Sequence, residues 1–282
     1  MKSLRCFALA ICFTAVSYGG NFEEARHLYD RTDYSGAVRE LKSPQDAESL
    51  RLLGQSYFMM ADYKKAAEAF ERSIAMDSSD SKAFLWLGRA YGRRAETAFP
   101  MAAPAYAVKT RTSFEKAVAL DSTNIEAVND LFEYYLDAPG FLGGGVDRAA
   151  KLVPLISKQD AAEGNWAEAR MAEHNKQFDV AESHFRRAAQ LAPHQAGRLL
   201  DLAKFLAKRG RYEESDRAFQ QAIAVAPNSP KVLYSRADTL VRSNRNLPEA
   251  CELLKRYLSM NLSPDDPSRE DAQKLLRKAS GS

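Results

Sequence analysis

Small and apolar residues recur along this chain at offsets that repeat every 34 residues. Residues 162–195 and 196–229 form two such units, with small residues at positions 8, 20 and 27 and aromatic residues at positions 17 and 24. In this order of position, the first unit has Ala169, Ala181, Ala188, Phe178 and Phe185, and the second has Ala203, Ser215, Ala222, Tyr212 and Phe219. Spacings of three and four place such residues on one helix face. The pattern predicts two amphipathic helices per unit.

The residue sizes predict how these helices pack. Small side chains let the two helices of a unit approach closely, while large ones such as Leu199, Leu202 and Leu206 fill the space between them. Pro193 and Pro227 stop the second helix of each unit. One face of every unit stays bare, so neighbouring units must stack. The expected fold is an all-α, right-handed α-solenoid with a concave surface.

The same offsets divide the rest of the chain, less regularly. The predicted organisation is a partial unit at 21–46, full units at 47–80, 81–124, 125–161, 162–195, 196–229 and 230–264, and a capping helix and tail at 265–282. The units at 81–124 and 125–161 carry about ten and five extra residues. Ser268, Glu270 and Asp271 have the order of a helix start. The capping helix is expected to cover the last bare face.

The period and these positions resemble the tetratricopeptide repeat family over essentially all of residues 21–282. The resemblance implies a superhelical scaffold that binds other proteins and has no enzymatic activity. It also implies a groove lined by the first helix of each unit. The candidate groove residues are Arg51, Gln55, Arg89, Arg93, Arg170 and Lys204. An acidic or extended peptide is one expected ligand, and a solvated groove without a specific ligand is the alternative.

The two insertions suggest a second contact surface. Both join the first helix of a unit to the second, in adjacent units, so they are expected side by side on one edge. Their apolar residues define a candidate partner-binding rim: Phe99, Met101, Tyr106, Phe141 and Leu142. The alternative is that Phe99, Met101 and Tyr106 cover the local core.

The glycine-rich segment 139–145 is predicted to be a flexible, turn-rich connection. A phosphate-binding loop would continue with Lys and then Ser or Thr, whereas Val146, Asp147 and Arg148 follow here. An anion-binding nest of backbone amides is the alternative.

Composition and motifs narrow the function further. A net charge of +3 over 282 residues, with 45% hydrophobic and 27% charged residues, is typical of a globular protein and does not favour a nucleic-acid partner. His174, His184 and His194 fall at different repeat positions and should point apart. The sequence contains no His-Glu-x-x-His and no Gly-x-Ser-x-Gly motif. No metal, cofactor or catalytic residue is expected.

The N-terminus indicates export. Lys2 and Arg5 precede an apolar run at residues 6–16, the order of a secretory signal peptide at residues 1–20. Cleavage is expected after one of the small residues Ser17, Gly19 or Gly20. The apolar run is too short to span a bilayer. Cys12 follows Ile11 rather than a small residue, so a lipid anchor is not expected.

The sequence therefore predicts an exported, non-enzymatic scaffold for protein–protein interaction in a bacterial envelope, periplasmic or secreted, without stable membrane insertion. Two alternatives stay open. One is a small-solute or lipid-binding partner of a periplasmic transport system, and the other is an assembly factor for outer-membrane proteins. The sequence indicates neither the partner nor an oligomeric state.

Overall fold

Every regular element in the described part of the protein is helical. The computed structural model describes residues 18–263 and 266–281. The α-helices are α1 (Tyr18–Asp30), α2 (Tyr34–Glu40), α3 (Ala47–Met59), α4 (Tyr63–Met76), α5 (Ser81–Thr97), α6 (Ala103–Leu120), α7 (Ile125–Asp137), α8 (Val146–Ala150), α9 (Val153–Gln159), α10 (Ala161–His174), α11 (Phe178–Leu191), α12 (Ala196–Lys208), α13 (Tyr212–Val225), α14 (Pro230–Arg242), α15 (Leu247–Ser259) and α16 (Arg269–Ser280). A 3-10 turn, Gly140–Leu142, lies between α7 and α8.

Consecutive helices pack as pairs, and the pairs stack on one another. The pairs include α3 with α4, α5 with α6, α10 with α11, α12 with α13 and α14 with α15. Contacts between pairs run in chain order, for example from α4 to α5 and from α11 to α12. The predicted all-α solenoid is confirmed.

Polar side chains between the pairs start many of the helices. Asp46 precedes α3, and its side chain accepts a hydrogen bond from the amide of Ser49 at 2.8 Å. The side chains of Asp62, Asp80, Asn124, Asp160 and Ser229 cap α4, α5, α7, α10 and α14 in the same way. A cap satisfies one of the amides that a helix start leaves without an internal partner. These polar residues therefore determine where the helices begin.

Glycine permits the close approach within two of the pairs. A Cβ atom on Gly54 would lie 2.6 Å from the ring of Phe70, and one on Gly88 would lie 2.5 Å from the ring of Phe114. Phe70 and Phe114 are buried. Each ring therefore packs directly against the backbone of the facing helix, where a side chain would push the helices apart.

The two irregular units accommodate their extra residues differently. In the unit at 81–124 the helices are lengthened to 17 and 18 residues, which leaves a short loop at 98–102. In the unit at 125–161 the second helix is divided into α8 and α9, and Pro154 stands at the start of α9. The first insertion is thus mainly a longer helical hairpin.

The glycine-rich segment connects α7 to α8 through hydrogen-bonded turns. The amides of Gly143, Gly144 and Gly145 donate to the carbonyl oxygens of Gly140, Pro139 and Tyr135 at 2.9, 3.2 and 2.7 Å. Gly143 has φ +90° and Gly145 has φ +154°, which favour glycine. Since the three amides are already engaged, they do not form an anion-binding nest.

Helix α16 covers the apolar end of the stack and also returns toward the N-terminal units. Its residues Ala272 and Ala279 join the buried cluster around Leu254 and Tyr257. At its N-terminus, Asp271 Oδ2 lies 3.8 Å from Arg93 Nη2 at the end of α5. The solenoid therefore curls until its last helix meets an early unit.

The predicted signal peptide lies largely outside the described residues, and α1 begins at Tyr18. Among the described helices, none has the length and apolar character needed to cross a bilayer. The thiol of Cys251 is free and half-buried.

Candidate functional site

The first helices of the units, called the inner helices below, are α3, α5, α7, α10, α12 and α14. The groove cations on α3 and α5 are engaged within the protein. Arg51 forms ion pairs with Asp80 and, at 3.2 Å, with Glu48. Arg89 Nε donates to Asp130 Oδ2 at 2.6 Å. These two arginines are therefore neutralised by their own chain.

Arg93 and Arg170 are likewise paired. Arg93 Nη1 lies 2.7 Å from Glu96, and its Nε donates to the hydroxyl of Tyr63 at 3.2 Å. Arg170 Nη1 lies 3.0 Å from Glu133, which is on the preceding inner helix. These arginines were candidates for ligand binding. They instead form ion pairs with a neighbouring inner helix or, in the case of Arg93, with the last turn of the same helix.

Burial and ion pairing have opposite effects on the pKa of the carboxyl groups along this surface. Burial raises the pKa of Glu133 to about 7, while Arg170 opposes the rise. Burial also raises the pKa of Asp130 against the effect of Arg89. Protein surrounds both carboxyl groups on most sides. The side chain of Glu133 is still 31% exposed and that of Asp130 is 27% exposed. This combination is typical of residues at the floor of a concave surface.

The other two groove candidates differ from the arginines. Gln55 is half-buried on α3, and its side chain has no hydrogen bond with the described part of the chain. Lys204 is half-buried on α12, and it too lacks an ion pair there. Of the candidate groove cations, Lys204 alone has no partner among the described residues.

The rim residues of the first insertion separate into two kinds. Phe99 is 87% exposed and Met101 is 97% exposed, both in the loop between α5 and α6. Tyr106 instead packs inward, where its ring is stacked 6.0 Å from the ring of Tyr91 and lies 4.3 Å from the Arg94 guanidinium. Tyr106 supports the hairpin, whereas Phe99 and Met101 project from its tip.

The second insertion shows the same division. Phe141 is 83% exposed, and Leu142 is half-buried with its carbonyl oxygen accepting from the Tyr134 hydroxyl at 3.0 Å. The turn packs beside α6, where Gly143 meets Arg111. Both insertions thus lie along α6, one at its N-terminal end and the other farther along the helix.

One residue of the groove, Arg198, was missed by the repeat positions alone. Arg198 lies at position 3 of its unit, and it pairs with Glu163 at 3.3 Å and Asp201 at 3.5 Å while lying 5.3 Å from the ring centroid of Trp166. The sequence did offer one indication of this role, since the acidic residue Glu163, at position 2 of the preceding unit, faces Arg198.

In the described residues, no group of three or more His, Cys, Asp or Glu side chains is arranged to hold a metal ion. His184 Nδ1 lies 3.1 Å from Asn165 Oδ1, in a contact between α10 and α11. This histidine therefore joins two helices of one pair.

Stacked helix pairs, a polar inner surface and projecting loops define the protein as an α-solenoid of the scaffold type. Tetratricopeptide repeat family models match residues 47–80 and residues 172–239. These two segments are tetratricopeptide repeats, as their repeat positions predicted.

Solved structures have the same fold. A tetratricopeptide repeat protein from Parabacteroides merdae ATCC 43184 superposes with a TM-score of 0.60 at 13% identity, covering 94% of this chain and 99% of that one. A thermophilic tetratricopeptide repeat protein of Thermus thermophilus gives a TM-score of 0.51 at 19% identity, covering 69% of this chain and 96% of that one. No curated protein matches the sequence significantly.

Proposed function

We propose that this protein is an exported, non-enzymatic scaffold that captures a partner protein in the bacterial envelope through the exposed part of its rim. Tetratricopeptide repeats form scaffolds for protein–protein interaction. The observation that carries the choice of surface is the exposure of Phe99, Met101 and Phe141. Phe99 and Met101 lie in one loop, and apolar side chains grouped together on a protein surface often mark a contact.

The charge near the rim indicates the character of the partner. Between Glu96 and Glu115 the chain has no acidic residue, while it has Lys109 and Arg111. Arg111 is paired with Glu115 at 3.4 Å, as the groove arginines are with other carboxylates of the same chain, so Lys109 is the cation of this stretch without an ion pair among the described residues. The partner is therefore expected to offer apolar pockets bordered by acidic side chains.

The test of the rim compares two triple variants as baits. The first carries Phe99→Ser, Met101→Ser and Phe141→Ser. The control carries Met76→Ser, Val180→Ser and Leu191→Ser, which also removes three exposed apolar side chains but at other places. Cross-linking in the envelope fraction of the source cells and mass spectrometry should identify a protein that the control captures and the rim variant does not. Equal capture by both baits would exclude the rim.

Export is tested separately. Residues 1–20 fused to alkaline phosphatase should produce activity in the periplasm of a bacterial host. The matched control lacks the apolar run 6–16 and should leave the reporter inactive. Activity without the run, or none with it, would contradict export.

A further inference from the structure

The methionines of the described residues differ widely in their surroundings. Met101 is 97% exposed, whereas Met76 is 57% exposed and Met60 is 47% exposed. The remaining three are half-buried and pack against apolar clusters of the solenoid: Met59, Met171 and Met260. Met101 is therefore the methionine whose sulfur is reached most easily by small molecules dissolved in water.

The side chain of Met101 does not hold the loop between α5 and α6 in place. Backbone hydrogen bonds do so, since the amides of Ala102 and Ala103 donate to the carbonyl oxygen of Phe99 at 2.8 and 3.1 Å. Met101 also belongs to none of the apolar clusters that form the core of the described residues. A chemical change at its sulfur should therefore alter the surface of the loop and leave the packing of the helices unchanged.

The thioether of a methionine can undergo two-electron oxidation. Hydrogen peroxide transfers one oxygen atom to the sulfur: a sulfur lone pair forms the S–O bond, the O–O bond breaks, and the other oxygen leaves with both hydrogens as water. The sulfur loses two electrons and the peroxide gains them. The product, methionine sulfoxide, is polar, and methionine sulfoxide reductases convert it back to methionine.

The exposed part of the rim is small, so one polar change there has a large effect. Its strongly exposed apolar side chains are Phe99, Met101 and Phe141. A sulfoxide at Met101 would place a polar oxygen against the apolar surface of the partner. Burying a polar group without a hydrogen bond is unfavourable, so the oxidised rim should bind the partner more weakly.

We propose that Met101 is a reversible oxidation site that controls partner capture: hydrogen peroxide converts Met101 to the sulfoxide, which releases the partner protein, and reduction restores binding. The proposal rests on the proposed function, because it concerns the regulation of the same rim. The neighbouring Phe99 has no sulfur and keeps its apolar character under the same conditions, so the response to peroxide depends on Met101.

Another oxidisable sulfur has to be separated from Met101 in any test. Cys251 has a free, half-buried thiol in α15, which belongs to a different unit from the rim. A thiol reacts with peroxide to give a sulfenic acid. All proteins in the experiments below therefore carry Cys251→Ser, so that methionine is the side chain whose oxidation is compared.

The first experiment needs no partner. The full chain is treated with hydrogen peroxide for increasing times, catalase stops the reaction, and peptide mapping by mass spectrometry follows each methionine. The sulfoxide should form at Met101 before it forms at Met76 or Met60. The melting temperature should stay the same while Met101 alone is oxidised. Oxidation of Met101 that is no faster than that of Met76, or a fall in melting temperature at that stage, would overturn the proposal.

The second experiment measures capture by oxidised baits. The bait with the natural rim is compared with Met101→Leu and with Met76→Leu, the control. Each is oxidised with the same dose of peroxide and treated with catalase before it meets the envelope fraction. Leucine keeps the size and apolar character of methionine but has no sulfur. Oxidation should reduce capture about tenfold by the natural rim and by Met76→Leu, while Met101→Leu should capture as before. Treatment with methionine sulfoxide reductases and dithiothreitol should restore capture.

The two proposals fail in different ways. The protein to be followed is the one that the triple variant of the rim does not capture. If that variant and the natural rim capture equally, the rim is excluded and both proposals are wrong. If capture depends on the rim but survives oxidation of Met101, or if oxidised Met101→Leu also loses it, the oxidation site alone is refuted. The same conclusion follows if the reductases do not restore capture.

Discussion

Gly88 and Gly92 lie one turn apart in α5, and their surroundings differ sharply. A Cβ on Gly88 would lie 2.5 Å from the ring of Phe114, a distance that requires a shift of the ring or the helix. At Gly92 the nearest atom to such a Cβ is the methyl group of Thr110, at 3.7 Å, which is an ordinary contact. The first glycine is required by packing, and the second is not.

The two glycines therefore predict opposite effects of the same substitution. Gly88→Ala should lower the free energy of unfolding by about 1–3 kcal/mol, as overpacking does. Gly92→Ala should raise it by up to about 1 kcal/mol, because alanine is the better helix former. Guanidinium titrations of both variants measure these changes. A stabilising Gly88→Ala would show that the Phe114 ring moves aside freely.

The repeat pattern could predict these small residues because the packing of two helices imposes a size at a fixed position. It could not predict the partners of the charged residues. The groove position of Arg170 followed from the period, but its pairing with Glu133 depends on how one unit is rotated against the next. The unpaired state of Lys204 depends on the same geometry.

At the scale of elements, ion pairs join consecutive inner helices. Arg89 of α5 pairs with Asp130 of α7, Glu133 of α7 pairs with Arg170 of α10, and Arg198 of α12 pairs with Glu163 of α10. The links lie on a partly buried surface, where charge costs more than in water. They hold the units in register, and they leave the inner surface sensitive to pH.

The pH sensitivity has a definite sign. Burial raises the pKa of Glu133 to about 7, so the folded protein binds this proton more tightly than the unfolded chain does. The resulting stability is present at low pH and is lost as the pH rises through 7. Between pH 5 and pH 8 the free energy of unfolding should fall by about 1–2 kcal/mol, less than the full shift implies because the side chain is 31% exposed.

Urea titrations at several pH values check this slope. Glu133→Gln should flatten it, while Glu96→Gln, which changes an exposed and paired glutamate of α5, should leave it in place. If Glu133→Gln keeps the full slope, another group is responsible for the pH dependence.

The extra length of the unit at 81–124 was visible in the sequence, but its form was not. Counting within the repeat indicated about ten additional residues. The structure uses most of them to lengthen α5 and α6, and only residues 98–102 form the loop. Alanine-rich sequence on both sides of Pro100 has high helix propensity, which explains the outcome.

At the scale of the whole molecule, the solenoid closes on itself through a thin contact. A cavity of about 230 Å³ separates Met59 and Met60 from the segment that leads into α16, including Leu262 and Arg269. The ion pair between Arg93 and Asp271 bridges the two ends, and its side chains are 36% and 37% exposed. Exposed pairs of this kind contribute about 0–1 kcal/mol.

Because this ion pair is weak, we expect salt or a single substitution to shift the equilibrium between the closed and open forms of the solenoid. The loss of up to about 1 kcal/mol changes the ratio of open to closed forms by up to about fivefold. Spin labels on cysteines at Lys64 and Lys274, with Cys251 replaced by Ser, report the distance between the ends by pulsed electron resonance. Arg93→Gln, or 1 M salt, should increase the population at longer distances.

The control is Lys255→Gln, which breaks an exposed ion pair with Glu252 inside α15 and should leave the distances unchanged. Salt should have little further effect on Arg93→Gln, because the interaction that salt screens is already absent. If neither salt nor Arg93→Gln changes the distance distribution, apolar packing around Met59 and Met60 holds the ends together. In that case the groove would open only when the units themselves bend, since the ends would then move as one body.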